Sequence, residues 1–222
     1  MANLDYVKMD ENFMGMTLSN WLGEWVQWLH GATVEYGRQP GEILHTRGGL
    51  SYEYSGGVMG ATRIQNVTKH TEMVEIANNI PVYINILTSF YFIGENHPRA
   101  TLATLNEVMA ACNDDFVRSK VESATIKEKN DKSATQLNKV LVRSNDVSVR
   151  VHPDSLLAQS FEMPVERGVD LKGCAISYMC LIKKLPLGEY TVKTSNSGVR
   201  GYKSESEYTI KVKSNITNPI FF

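Results

Sequence analysis

Cysteine, charge imbalance and long apolar runs are all scarce in this chain, and each scarcity removes a class of protein. Three cysteines in 222 residues, Cys112, Cys174 and Cys180, are too few and too scattered for a disulfide framework. Cys174 and Cys180 share one run that reads as a strand, and six steps of about 3.3 Å place them roughly 20 Å apart, beyond bridging reach. All three are read as buried free thiols made in a reducing compartment. With 23 basic and 24 acidic residues the formal net charge is −1, which argues against a nucleic-acid binder driven by a basic field. No apolar run approaches the ~20 residues that a membrane span needs. Asp5, Lys8, Asp10 and Glu11 break up the start, so no signal peptide is expected.

Motifs that carry chemistry are missing as well. There is no phosphate-cradling G-x-x-x-x-G-K-[ST], no G-x-S-x-G elbow and no H-E-x-x-H. His30, His45, His70, His97 and His152 are dispersed, with no spacing that starts a metal site. The adjacent carboxylates Asp10-Glu11 and Asp114-Asp115 diverge on any regular element and read as solvated surface. No catalytic residue, metal or cofactor is expected, and the chain reads as a non-enzyme.

What is present is unevenly distributed. The 42% hydrophobic content rules out general disorder. All three tryptophans, Trp21, Trp25 and Trp28, fall in one amphipathic helix that Thr17 or Ser19 can cap and Gly31 ends. Such a stripe seals the open face of a sheet or anchors a partner. The C-terminus ends in Phe221-Phe222, which docks on its own core or on a neighbouring molecule. Residues 1–115 hold 13 acidic and 6 basic side chains and residues 116–222 hold 11 and 17, giving halves of −7 and +6. These halves attract within one molecule or between copies.

Strand patterns fill most of the remainder. Val67 to Ala77 and Ile80 to Ile93 read as strands, the second buried and central with Pro81 at its first position. A second helix is expected over about 102–118, capped by Thr101, with Leu102, Leu105, Val108, Met109, Cys112 and Phe116 on one face. Further strands are expected at 121–127, 137–143, 147–152, 156–165, 172–184, 188–195 and 206–213, and Leu185-Pro-Leu-Gly188 reads as a turn. Strands at about ten-residue spacing indicate a mainly β, jelly-roll-like β-sandwich. Residues 1–222 are expected to form one such domain, with a Trp-rich helical segment at 1–31 and an apolar tail at 214–222.

The order of segments resembles an uncharacterised group of bacterial and phage-borne β-sandwich proteins. The resemblance lies in Trp21-Leu-Gly-Glu-Trp-Val-Gln-Trp28, Ile80-Pro-Val-Tyr-Ile-Asn-Ile86 and Leu102-Ala-Thr-Leu-Asn-Glu107, which leads through a helix to Val121-Glu-Ser-Ala-Thr-Ile126. It closes with Leu185-Pro-Leu-Gly-Glu-Tyr-Thr-Val192 and Tyr208-Thr-Ile-Lys-Val212. No activity or site carries over from that group. A glycine-rich, cysteine-poor β-sandwich of this size also looks like a tailed-phage virion protein. That resemblance implies a head-decoration, neck or tail component, made in the host cytoplasm and located in the virion. Its partners would be copies of itself and other virion proteins, with no nucleic acid and no membrane. The assembly contacts would be Trp21, Trp25, Trp28, Phe221 and Phe222. The alternative is a carbohydrate-binding β-sandwich that meets surface glycans through Tyr36, Tyr52, Tyr54 and Tyr202.

Overall fold

A computed structural model describes residues 4–31, 44–45, 67–78, 81–94, 96–97, 100–150, 170–198 and 203–214. The described chain is mainly β, with two helices, two five-stranded sheets and a separate two-stranded ribbon. In order, the elements are β1 (Asp5–Tyr6), α1 (Leu18–Gly31), β2 (Leu44–His45), β3 (Val67–Ala77), β4 (Val82–Phe92), β5 (Asn96–His97) and β6 (Ala100–Thr101). Then follow α2 (Leu105–Val117), β7 (Lys120–Glu128), β8 (Thr135–Gln136), β9 (Val140–Arg150), β10 (Asp170–Lys184), β11 (Gly188–Ser197) and β12 (Lys203–Lys213).

The first sheet runs β2-β4-β10, with β9 and β1 lying end to end along the far side of β10. The second runs β3-β12-β11-β7-β8. Most neighbours are antiparallel, but β3 lies parallel to β12 and β2 parallel to β4. Val82, Ile84, Ile86, Cys180 and Ile182 of the first sheet share a core with Ala124, Ile126, Tyr190, Val192, Ile210 and Val212 of the second. β11 of the second sheet alternates buried and more exposed residues, as a half-buried sheet requires, whereas β4 and β10 of the first carry runs buried on both faces.

β4 departs from simple alternation. Tyr178 of β10 faces Leu87 and Met179 faces Asn85, so Ile86 is one residue too many on the β4 side. A bulge of this kind puts two successive side chains on one face. Before it the inward residues are the even-numbered Val82, Ile84 and Ile86; after it they are the odd-numbered Leu87, Tyr91 and Ile93. The early half of β4 thus faces the second sheet, and the late half lies beneath α2. The run expected at Ile80 to Ile93 is observed as Val82–Phe92 with Pro81 just ahead of it.

The helices close what the sheets leave open. Leu18, Trp21, Leu22, Trp25 and Val26 of α1 pack on the outer face of the first sheet, against Tyr83, Val142, Val149, Ala175, Met179 and Leu181. Thr17 caps α1, its Oγ1 accepting from Asn20 N–H at 3.3 Å, while Ser19 instead donates to the Arg143 carbonyl at 2.8 Å. α2 starts later than expected. Thr104, not Thr101, is its N-cap, and Thr104 with Glu107 forms a reciprocal capping box.

The strands expected at 137–143 and 147–152 are one strand, β9, with a kink where it carries an extra residue between Ser144 and Val147. The remaining strands lie where they were read, within a few residues, except that 156–165 falls outside the described residues.

Candidate functional site

The N-terminal arm, residues 4–17, is held to the first sheet and presents two methionine side chains. β1 adds to the edge of β10, and the Val7 N–H donates to the Leu181 carbonyl at 2.9 Å. A turn over 8–11 is closed by Glu11 N–H on the Lys8 carbonyl at 3.1 Å and by Lys8 N–H on Glu11 Oε2 at 3.1 Å. Lys183 Nζ then fastens the arm, 2.8 Å from Glu11 Oε1 and 3.5 Å from Asp5 Oδ1. That bond from Lys183 holds the Glu11 carboxyl below its usual range, and Glu11 in turn raises the Lys183 pKa. Here the acidic first half and the basic second half of the chain meet within one molecule.

Beyond the clasp the chain makes a tight turn. Phe13 and Met16 exchange backbone hydrogen bonds at 2.9 and 3.1 Å, and between them Met14 and Gly15 take φ values of +52° and +83°. Glycine adopts this left-handed region freely; methionine does so at a cost, since its Cβ crowds the backbone. Met14 is 45% exposed and Met9 on the preceding turn is 50% exposed. Two flexible thioethers thus project from an arm that is pinned behind them.

Behind the arm stand the tryptophans. The Trp21 indole donates to the Phe13 carbonyl at 3.2 Å, tying arm to helix. Trp25 stacks on Tyr83, with ring centroids 6.3 Å apart and planes 12° from parallel. Trp21 and Trp25 are 5% and 2% exposed, so both rings are enclosed by this chain's own core. The Trp28 side chain, Phe221 and Phe222 lie outside the described residues, as do Tyr36, Tyr52, Tyr54, Tyr202 and the side chains of all five histidines.

A second locus lies under α2. Cys112 on the helix and Cys174 on β10 are buried in one cluster with Leu102, Val108, Phe116 and Ile176. The Cys112 thiol donates to the Ser89 carbonyl at 3.1 Å and neighbours Cys174 in this cluster. The contact with Cys174 and then burial push the Cys112 pKa up, whereas the adjacent Cys112 thiol lowers that of Cys174. Cys180 sits apart in the inter-sheet core, where burial raises its pKa. Tyr91 donates to Asp115, which ties sheet to helix, and Asp114 pairs with Arg118 at 2.5 Å on the exposed side. The two adjacent carboxylates therefore diverge. Sequence spacing separated Cys174 from Cys180 but held no sign that Cys112 lies beside Cys174.

A polar seam crosses the inter-sheet interior. Asn196 of β11 donates to the Ile86 carbonyl at 2.6 Å, at the bulge of β4. The Asn196 Oδ1 and the hydroxyls of Thr194 and Tyr190 are buried with no partner among the described residues. Among the described residues no group of three His, Cys, Asp or Glu side chains is placed to hold a metal, and no helix is long and apolar enough to cross a membrane.

No family model matches the chain, and no curated protein matches it. Among solved structures, a family 123 glycoside hydrolase from Clostridium perfringens is 13% identical with a TM-score of 0.16. The alignment covers 68% of this chain and 23% of that one, so the chain spans less than a quarter of that enzyme. A likeness of this size carries no argument about fold or activity.

Proposed function

We propose that this protein is a structural component of a virus particle, a head-decoration, neck or tail protein, that works by binding copies of itself and other virion proteins. The observation that carries the reading is the N-terminal arm: a segment added to a sheet edge, clasped by Lys183, and presenting Met9 and Met14 to solvent. Methionine side chains are adaptable contact groups, and they are enriched at interface cores. A jelly-roll-like arrangement fits the chain path, since β3 to β4 and β10 to β11 each pass from one sheet to the other. The protein acts in this reading without catalysis or cofactor.

Light scattering at micromolar concentration tests the proposal. Assembly into a homo-oligomer is expected, and replacing Met9 and Met14 by Asn should shift it toward monomer with the melting temperature preserved. Asparagine suits position 14 because it tolerates positive φ. A strictly monomeric wild type overturns the reading. Saturable binding on a glycan array would favour the carbohydrate-binding alternative instead.

A further inference from the structure

We infer that Cys112 and Cys174 are a dithiol couple that a peroxide converts to an internal disulfide, fastening α2 to the first sheet. The two positions are 62 apart in the chain, yet both thiols are buried in one cluster beneath α2. The register explains the meeting. Cys174 faces Tyr91 across the β10–β4 ladder and Ile176 faces Ser89, so the carbonyl that receives the Cys112 thiol lies two pairs along from Cys174, on the same face of the sheet. Helix and strand are already locked at that point by Phe116, Val108 and Ile176, and the Tyr91–Asp115 bond holds the helix at the next position.

The chemistry assigns different roles to the two sulfurs. Cys174 is the one that ionises first, because the neighbouring Cys112 thiol lowers its pKa. Its thiolate attacks a peroxide oxygen, the O–O bond breaks, and water leaves after one proton is taken up. The Cys174 sulfenic acid then reacts with the Cys112 thiol, forming the S–S bond and releasing a second water. In sum, two thiols and one hydrogen peroxide give one disulfide and two waters, with the thiols oxidised and the peroxide reduced. Both sulfurs are buried, so reaction waits on a local opening that admits the peroxide. Cys180, in a separate apolar cluster, has no thiol neighbour among the described residues and stays reduced.

The test treats the full-length protein with hydrogen peroxide, unfolds it and counts labelled thiols. Three are free in the untreated protein. One should remain after oxidation, and a reductant should restore all three. Peptide mapping should find the Cys112–Cys174 cross-link within single chains, and the thermal midpoint of the oxidised protein should rise. Cys180→Ser should keep the cross-link, while Cys112→Ser and Cys174→Ser should each abolish it. Because loss of a buried thiol can itself prevent folding, the wild-type count and map decide. Three thiols surviving while an exposed-thiol peptide is fully oxidised would overturn the inference. So would a bridge that includes Cys180, oxidation that stops at a single cysteine, or a midpoint that does not rise.

Discussion

Adding one methyl group should have opposite consequences at two glycines. At Gly173, where β10 faces Phe92 of β4, a Cβ would lie 2.0 Å from the Tyr91 carbonyl oxygen and 2.7 Å from Phe92 Cδ1. An ordinary carbon–oxygen contact is about 3.3–3.6 Å, so Gly173→Ala must push the two backbones apart by more than an ångström. Overpacking costs typically 1–3 kcal/mol, and each ladder hydrogen bond lost adds about 1 kcal/mol. A loss of about 3 kcal/mol or more follows, which is roughly 6–12 °C in melting temperature for a domain of this size. At Gly23, inside α1, the nearest atom to an added Cβ is Ser144 Oγ at 3.9 Å, an ordinary contact. Gly23→Ala there gains helix propensity and should stabilise by about 0.5–1 kcal/mol. Urea denaturation of both variants reads the two values side by side. A Gly173→Ala midpoint close to that of the wild type would refute the register of β10 against β4, and a destabilised Gly23→Ala would refute the seating of α1.

Two further outcomes follow from single side chains. Asn196→Ala leaves the Ile86 carbonyl buried and unpaired, so it should cost about 1–3 kcal/mol by urea denaturation; an unchanged midpoint would mean that the cross-sheet bond contributes nothing. The backbone N–H groups of Ala103 and Thr104 hold the Glu107 carboxyl below its ordinary value of 4.5. A lowered folded pKa gives stability that is present above about 4.5 and is lost as pH falls through the lower folded value. Glu107→Gln should therefore flatten the acid limb of a stability-versus-pH curve, and an identical limb would contradict the capping box.

Much of this architecture is legible because the local chemistry is strong. The Trp-rich helix, the β-branched run of β4 and the turn at Leu185-Pro-Leu-Gly188 each carry period, composition and boundary signals that agree. The α2 boundary was legible too, in the Thr104-Leu-Asn-Glu107 box, but Thr101 competed as an equally ordinary cap. The split of β9 into two strands reflects a real irregularity at Asn145 and Asp146, which interrupts the pattern without ending the strand. The thiol pair and the Asn196–Ile86 bond were not legible. Both join residues far apart in sequence, and nothing in a linear pattern encodes which helix covers which strand.

The parallel ladder between β3 and β12 sets a schedule for making the protein. Val67 faces Lys203, 136 positions later, and the register holds without a break to Ala77 and Lys213. At about 5–20 residues per second, β3 leaves the ribosome roughly 7–27 s before its neighbour in the sheet has been synthesised. Throughout that interval an eleven-residue β-former waits beside the ribosome without the one strand it pairs with among the described residues. Thr68, Lys69, His70, Thr71, Glu72 and Glu75 give this segment charge and polarity along its length, the usual chemical defence of a strand against joining the wrong chain. Correct production thus depends on the solubility of β3 in the nascent chain, a demand separate from the stability of the finished fold.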